Sequence, residues 1–164
     1  MDGNLARRLG ATLVAAALVL SACGGGASPG ATTTTATGTP AAGGATTIDV
    51  TLQEFAVVPA ADAAPAGEVT FKITNQGPDD IHELVIIKTD LGASALPTDE
   101  DGAVDEAGAG MEVIDEVEDL ALGASEDLTV TLAAGKYVLL CNIFDETENE
   151  AHYELGMRID FTVN

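Results

Sequence analysis

Apolar and polar residues alternate along most of the chain from about residue 46 onward, the pattern of half-buried β-strands. Ile48, Val50 and Leu52 fall on one side of the first such strand, with Asp49 and Thr51 opposite. Val69, Phe71 and Ile73 alternate with Thr70, Lys72 and Thr74, and the pattern breaks at Asn75-Gln76-Gly77-Pro78, a cluster of turn formers. Ile81 to Lys88 is apolar on nearly both faces, as in a strand covered on two sides. Leu128, Val130 and Leu132 make a further strand, closed by Ala134-Gly135 ahead of Lys136 to Cys141. Met157, Ile159, Phe161 and Val163 alternate with Arg158, Asp160 and Thr162 to the end of the chain. Short strands separated by turn signals predict an all-β domain, a Greek-key β-sandwich or barrel. Residues 90–122 break the pattern: Asp99, Glu100, Asp101, Asp105 and Glu106 cluster in a Gly/Ala-rich stretch, and 111–117 fits a strand or a helical turn equally. These carboxylates lack the regular spacing of a calcium loop, so the segment is expected to be a solvated acidic insertion.

The first 46 residues follow different rules. Arg7 and Arg8 precede an apolar run from Leu9 to Leu20, which ends in Leu20-Ser21-Ala22-Cys23. A basic start, a short apolar run and small residues before a cleavage point form an export signal, and the run falls short of the roughly 20 apolar residues of a membrane span. Leu-Ser-Ala-Cys resembles the lipobox of bacterial lipoproteins. That resemblance implies a signal peptide over 1–22 and a lipid on Cys23, the new N-terminus. Residues 23–46 contain Gly, Ala, Thr, Ser and Pro with no charge, a composition expected of a flexible tether. The folded domain is then expected over 47–164, lipid-anchored at the extracytoplasmic face of a membrane. With Cys23 lipidated, Cys141 is left without a partner for an intramolecular disulfide.

Charge and rare residues narrow the function. Asp and Glu number 27 against 6 Lys and Arg, for a formal net charge of −21. Loss of residues 1–22 leaves 26 acidic and 4 basic residues, or −22. Such a surface cannot neutralise a phosphate backbone, which excludes nucleic-acid binding; it suits a partner with a basic face. The chain has only two His, two Cys and three Met, too few for an enzyme needing several histidines. Those rare residues fall at strand ends: His82 opens one strand, Cys141 ends another, His152 follows in a loop, and Met157 opens the last strand. Singly, each has an ordinary reading as a strand histidine, a buried thiol or core filler. Together, two imidazoles, a thiolate and a thioether are the donors of a blue-copper site, where soft sulfur suits Cu(I) and imidazole suits both oxidation states. Structural zinc draws on closely spaced Cys and His pairs, which are absent.

From about residue 46 to 164 the chain resembles the cupredoxins, the type 1 blue-copper family. Val69 to Gly77 followed by His82-Glu83-Leu84 is similar to the family's first ligand region, and Gly135 to Ile143, His152-Tyr153 and Gly156-Met157 to its second. The resemblance implies His82, Cys141 and His152 as equatorial ligands and Met157 as the axial ligand of one copper ion. One feature departs from the family: ten residues separate Cys141 from His152, where a few are usual, and the extra stretch 144–150 carries Asp145, Glu146, Glu148 and Glu150. If that insertion displaced Met157, one of its carboxylates could sit axially. The function implied is a monomeric one-electron carrier, not an enzyme by itself, that meets redox partner proteins. Two alternatives use other logic: a copper trafficking, buffering or resistance protein, and a metal-free interaction module.

Overall fold

The computed structural model describes residues 45–164. The expected signal peptide, Cys23 and all but the end of the expected tether lie outside the described residues.

Eleven strands and one short helix follow in order: β1 (Thr46–Gln53), β2 (Ala56–Pro59), β3 (Ala63–Ala64), β4 (Gly67–Gly77), β5 (His82–Thr89), β6 (Met111–Leu120), β7 (Ser125–Leu132), β8 (Gly135–Leu140), β9 (Phe144–Asp145), β10 (Glu150–Ala151), α1 (His152–Leu155) and β11 (Arg158–Val163). β9 and β10 pair separately, and the other nine strands build a four-stranded sheet in the order β2-β1-β4-β7 and a five-stranded sheet in the order β3-β11-β8-β5-β6. Neither closes on itself, so the architecture is a sandwich rather than a barrel. β1 runs parallel to β4, which forces a crossover between sheets, while β4 with β7, and β5 with both β6 and β8, pair antiparallel.

The alternating residues point inward as their spacing requires. Ile48, Val50, Leu52, Val69, Phe71 and Ile73 from one sheet meet Leu84, Ile86, Tyr137, Leu139 and Phe161 from the other in one buried cluster. Phe71 and Phe161 meet edge to face at 5.6 Å. A second cluster lies on the outer face of the five-stranded sheet, where Val85, Ile87, Val138 and Leu140 are covered by Ala93, Leu96, Val104 and Tyr153. β5 and β8 are therefore buried on both faces, which the run Ile81–Lys88, apolar on nearly both faces, anticipated for β5.

Three local features differ from the sequence pattern. β4 runs on to Gly77 rather than stopping at Asn75. Gly77 holds φ +57°, and a Cβ there would collide with the Leu122 side chain, so glycine is the residue that fits. The ambiguous 111–117 segment is strand, part of the edge strand β6. Its pairing with β5 shifts register twice, which scrambles the alternation that would have revealed it. Only the connection 90–110 behaves as an insertion, and part of it is a lid on the second cluster rather than a solvated loop.

Candidate metal centre

The chain reaches one end of the five-stranded sheet three times, and each arrival delivers a chemically distinctive side chain. His82 is the first residue of β5, Cys141 directly follows β8, and Met157 directly precedes β11. Backbone pairing locks these arrivals together: the Cys141 N–H donates to the Met157 carbonyl at 3.0 Å, and the Met157 N–H to the His152 carbonyl at 3.0 Å. The extra residues between Cys141 and His152 fold into the β9–β10 hairpin. Its turn is tied by Asp145, whose carboxylate accepts the N–H groups of Thr147 and Glu148. The hairpin brings the chain back to where it left, so the His152 N–H donates to the Ile143 carbonyl at 2.9 Å. The insertion thus lengthens the chain without moving its ends apart.

His82, Cys141 and His152 each offer one ligand atom within 4.8 Å of the others. Nδ1 of His82 lies 3.3 Å from Nδ1 of His152, and the Cys141 Sγ lies 3.4 Å from the latter and 4.0 Å from the former. A point in the plane of this triangle lies about 2.1 Å from all three corners, close to a metal–imidazole bond and slightly short for a metal–thiolate bond. No carboxylate joins the group among the described residues, including those of the inserted hairpin. His82, Cys141 and Met157 are fully buried and His152 is 2% exposed.

The electrostatics follow from that burial. It depresses both imidazoles; the neighbouring His152 charge depresses His82 further, while nearby carboxylates, Glu54 and Asp80 among them, oppose the shift at both rings. Burial likewise pushes the Cys141 thiol up to about 12, against hydrogen bonds from the Glu83 and Ile143 backbone. Without a metal the site therefore holds neutral rings and a protonated thiol, and a cation entering it must displace the thiol proton. Two imidazoles and a soft sulfur, backed by a buried thioether, fit copper by donor chemistry and by the size of the triangle.

A shell of further residues surrounds these donors, among them Glu54 and Phe55, which no local sequence pattern singled out. The Glu83 N–H donates to the Cys141 Sγ at 3.4 Å, and the Glu83 carboxylate accepts the Asn142 N–H at 2.7 Å. Burial, with Glu116 and Glu106 close by, raises the Glu83 carboxyl to about 7 despite that hydrogen bond. Asn75 donates to the carbonyls of Asp80 and Leu120 and accepts from the Gly77 N–H, which fixes the turn leading into His82. The Phe55 ring meets His152 edge-on at 5.3 Å. Glu54 lies behind His82, its Oε1 taking the N–H groups of Asp79 and Asp80 at 3.1 and 2.7 Å. Burial works against its ionisation, but these backbone donors prevail and hold its carboxyl below the usual range.

Known structures share this fold. Reduced auracyanin from the photosynthetic bacterium Roseiflexus castenholzii matches at 26% identity over 73% of this chain and 97% of its own, with a TM-score of 0.52. The domain is a cupredoxin. Reduced rusticyanin has the same fold at 16% identity, covering 73% of this chain and 79% of its own, with a TM-score of 0.50. Auracyanin A of Chloroflexus aurantiacus, described as a "blue" copper protein, matches at 23% identity over 74% of this chain and all of its own, with a TM-score of 0.47. The sequence model of the camelysin metallo-endopeptidase family matches residues 4–114, and by that match the chain belongs to this family. The matched stretch ends before β7 and includes one of the four cupredoxin donors, His82, which is also its sole histidine. No curated protein matches the chain.

Proposed function

We propose that this cupredoxin is a one-electron carrier with a single type 1 copper ligated by His82, Cys141, His152 and Met157. The observation that carries the proposal is the convergence of two Nδ1 atoms and one Sγ in a buried triangle. Copper supplies the Cu(II)/Cu(I) couple. The two imidazoles and the thiolate define a plane that suits both oxidation states, and the rigid strands behind them keep that plane fixed. Met157, buried in the same cluster as Cys141, would be the further sulfur donor that tunes the balance between the two states. The protein is not an enzyme on this account: both histidines of the chain belong to one centre, leaving none for a second, catalytic metal. The same argument stands against peptide hydrolysis, which needs a metal with an open position and a base beside it.

Location and partners extend the proposal. Residues 1–22 act as a lipoprotein signal, Cys23 carries the lipid, and 23–46 tether the carrier to the extracytoplasmic face of a membrane. A monomer meets a redox partner with a basic face. Supporting that choice, Asp99, Glu100, Asp101, Glu150 and Glu154 line a groove of about 390 Å³ beside α1, the helix that starts with His152.

Copper trafficking or buffering is the second reading, and burial argues against it, because a site that hands over its metal must let another protein's ligands reach it. Voltammetry joined to a chelator challenge separates the two. The carrier reading expects a reversible one-electron wave and slow loss of copper to the chelator. An irreversible wave with rapid loss would favour trafficking.

A further inference from the structure

Among the described residues, two buried side-chain polar atoms lack a hydrogen-bond partner, Nε2 of His82 and Oε2 of Glu54. Unpaired buried polar atoms are rare enough to need a reason, and these two belong to one pair. Nε2 of His82 lies 3.5 Å from Oε1 of Glu54, and the Glu54 side chain is only 12% exposed. Glu54 follows the last residue of β1, in the opposite sheet from β5, and its Oε1 is anchored by the Asp79 and Asp80 N–H groups of the turn before His82. It stands outside the ligand cluster, on the far side of the ring from Cys141 and His152.

We propose that Glu54 is the positioning residue of the centre: it receives the Nε2–H of His82, leaves Nδ1 bare toward Cys141 and His152, and places a negative charge behind the ring that favours the oxidised state. The proposal rests on the copper reading for its redox half and on geometry alone for its tautomer half. A neutral imidazole carries one proton, and the nitrogen that holds it is set by the hydrogen bond available to the other side of the ring. Nδ1 faces a second Nδ1 and a sulfur, where a proton would block a metal; Nε2 faces a carboxylate with one oxygen still free. Carboxylate–histidine–metal chains of this kind fix ring orientation and raise ligand basicity, and their loss typically costs 10–100-fold in metal affinity.

Two variants and two readouts test the assignment. In 15N-labelled copper-free protein, long-range proton–nitrogen correlations report the tautomer of His82, which should be Nε2–H in the wild type. Glu54→Gln keeps an oxygen for the Asp79 and Asp80 N–H groups, so it should fold, while it loses the charge and sets an amide NH2 in place of the free carboxylate oxygen. Loaded with copper, it should bind Cu(II) about tenfold more weakly relative to Cu(I), a rise in potential of about 59 mV for a one-electron couple. Both variants, Glu54→Gln and Glu54→Ala, should let the proton populate Nδ1. A wild-type His82 protonated on Nδ1, or an unchanged potential in Glu54→Gln, would overturn the proposal, the latter because a mere brace for the 78–80 turn survives that substitution. If the wild type takes up no copper at all, the copper reading fails by itself, and the tautomer in the copper-free protein still decides the role of Glu54.

Discussion

In the four-stranded sheet, the outer face of β4 turns Thr70, Lys72 and Thr74 toward solvent, where they pair with Thr129, Asp127 and Ser125 of β7. In the five-stranded sheet, the outer faces of β5 and β8 turn Val85, Ile87, Val138 and Leu140 under the 93–104 segment instead. The donors follow this division. His82, Cys141 and Met157 all sit at ends of strands in the five-stranded sheet, and His152 lies just before the last of those strands. Strands packed on both faces open least readily, so their ends are the most rigid places to mount ligands. The four-stranded sheet supplies the other wall of the core and reaches the centre through Glu54 and Phe55, just past the end of β1, and through Asn75 of β4.

The sharpest way to break the comparison is to hollow out the doubly covered strand. Leu140→Ala should cost about 2–5 kcal/mol in denaturant unfolding, as a fully buried leucine in a packed core does; a loss under about 1 kcal/mol would mean the outer cluster adds little. Tyr153→Phe should have a smaller effect. Its hydroxyl donates to the Ala93 carbonyl at 2.7 Å and accepts the Leu96 N–H at 3.2 Å, clasping the cover onto the sheet. Losing both bonds should cost about 1–3 kcal/mol and speed amide exchange over 93–104 while β1 and β4 stay protected. Lys72→Ala should barely register, at under about 0.5 kcal/mol, because its ion pair with Asp127 at 3.3 Å is open to solvent.

Legibility in the sequence divides along the same line. β1, β4, β7 and β11 could be read because one face is wet, so each alternates, and the short β2 and β3 were missed because four and two residues carry no period. β5 was readable as a strand buried on both sides, but what covers it was not. Ala93, Leu96 and Val104 are scattered through a Gly/Ala-rich acidic stretch, and their apolar role exists only in three dimensions. The four donors were legible because His, Cys and Met are so scarce that their positions stand out. Glu54 was not, being one carboxylate among 27 acidic residues and separated from His82 by most of β1–β5 connectivity. The long Cys141–His152 spacing suggested a distorted centre; the hairpin shows how the chain absorbs it, by returning His152 to Ile143.

The central claim is that three buried donors converge on one copper ion through a thiolate. Titrating the copper-free protein with Cu(II) while recording the visible spectrum tests it most directly. The account predicts an intense thiolate-to-copper band that saturates at one equivalent and is absent from Cys141→Ser. A protein that stays colourless, or takes up copper with a spectrum indifferent to Cys141→Ser, would contradict it.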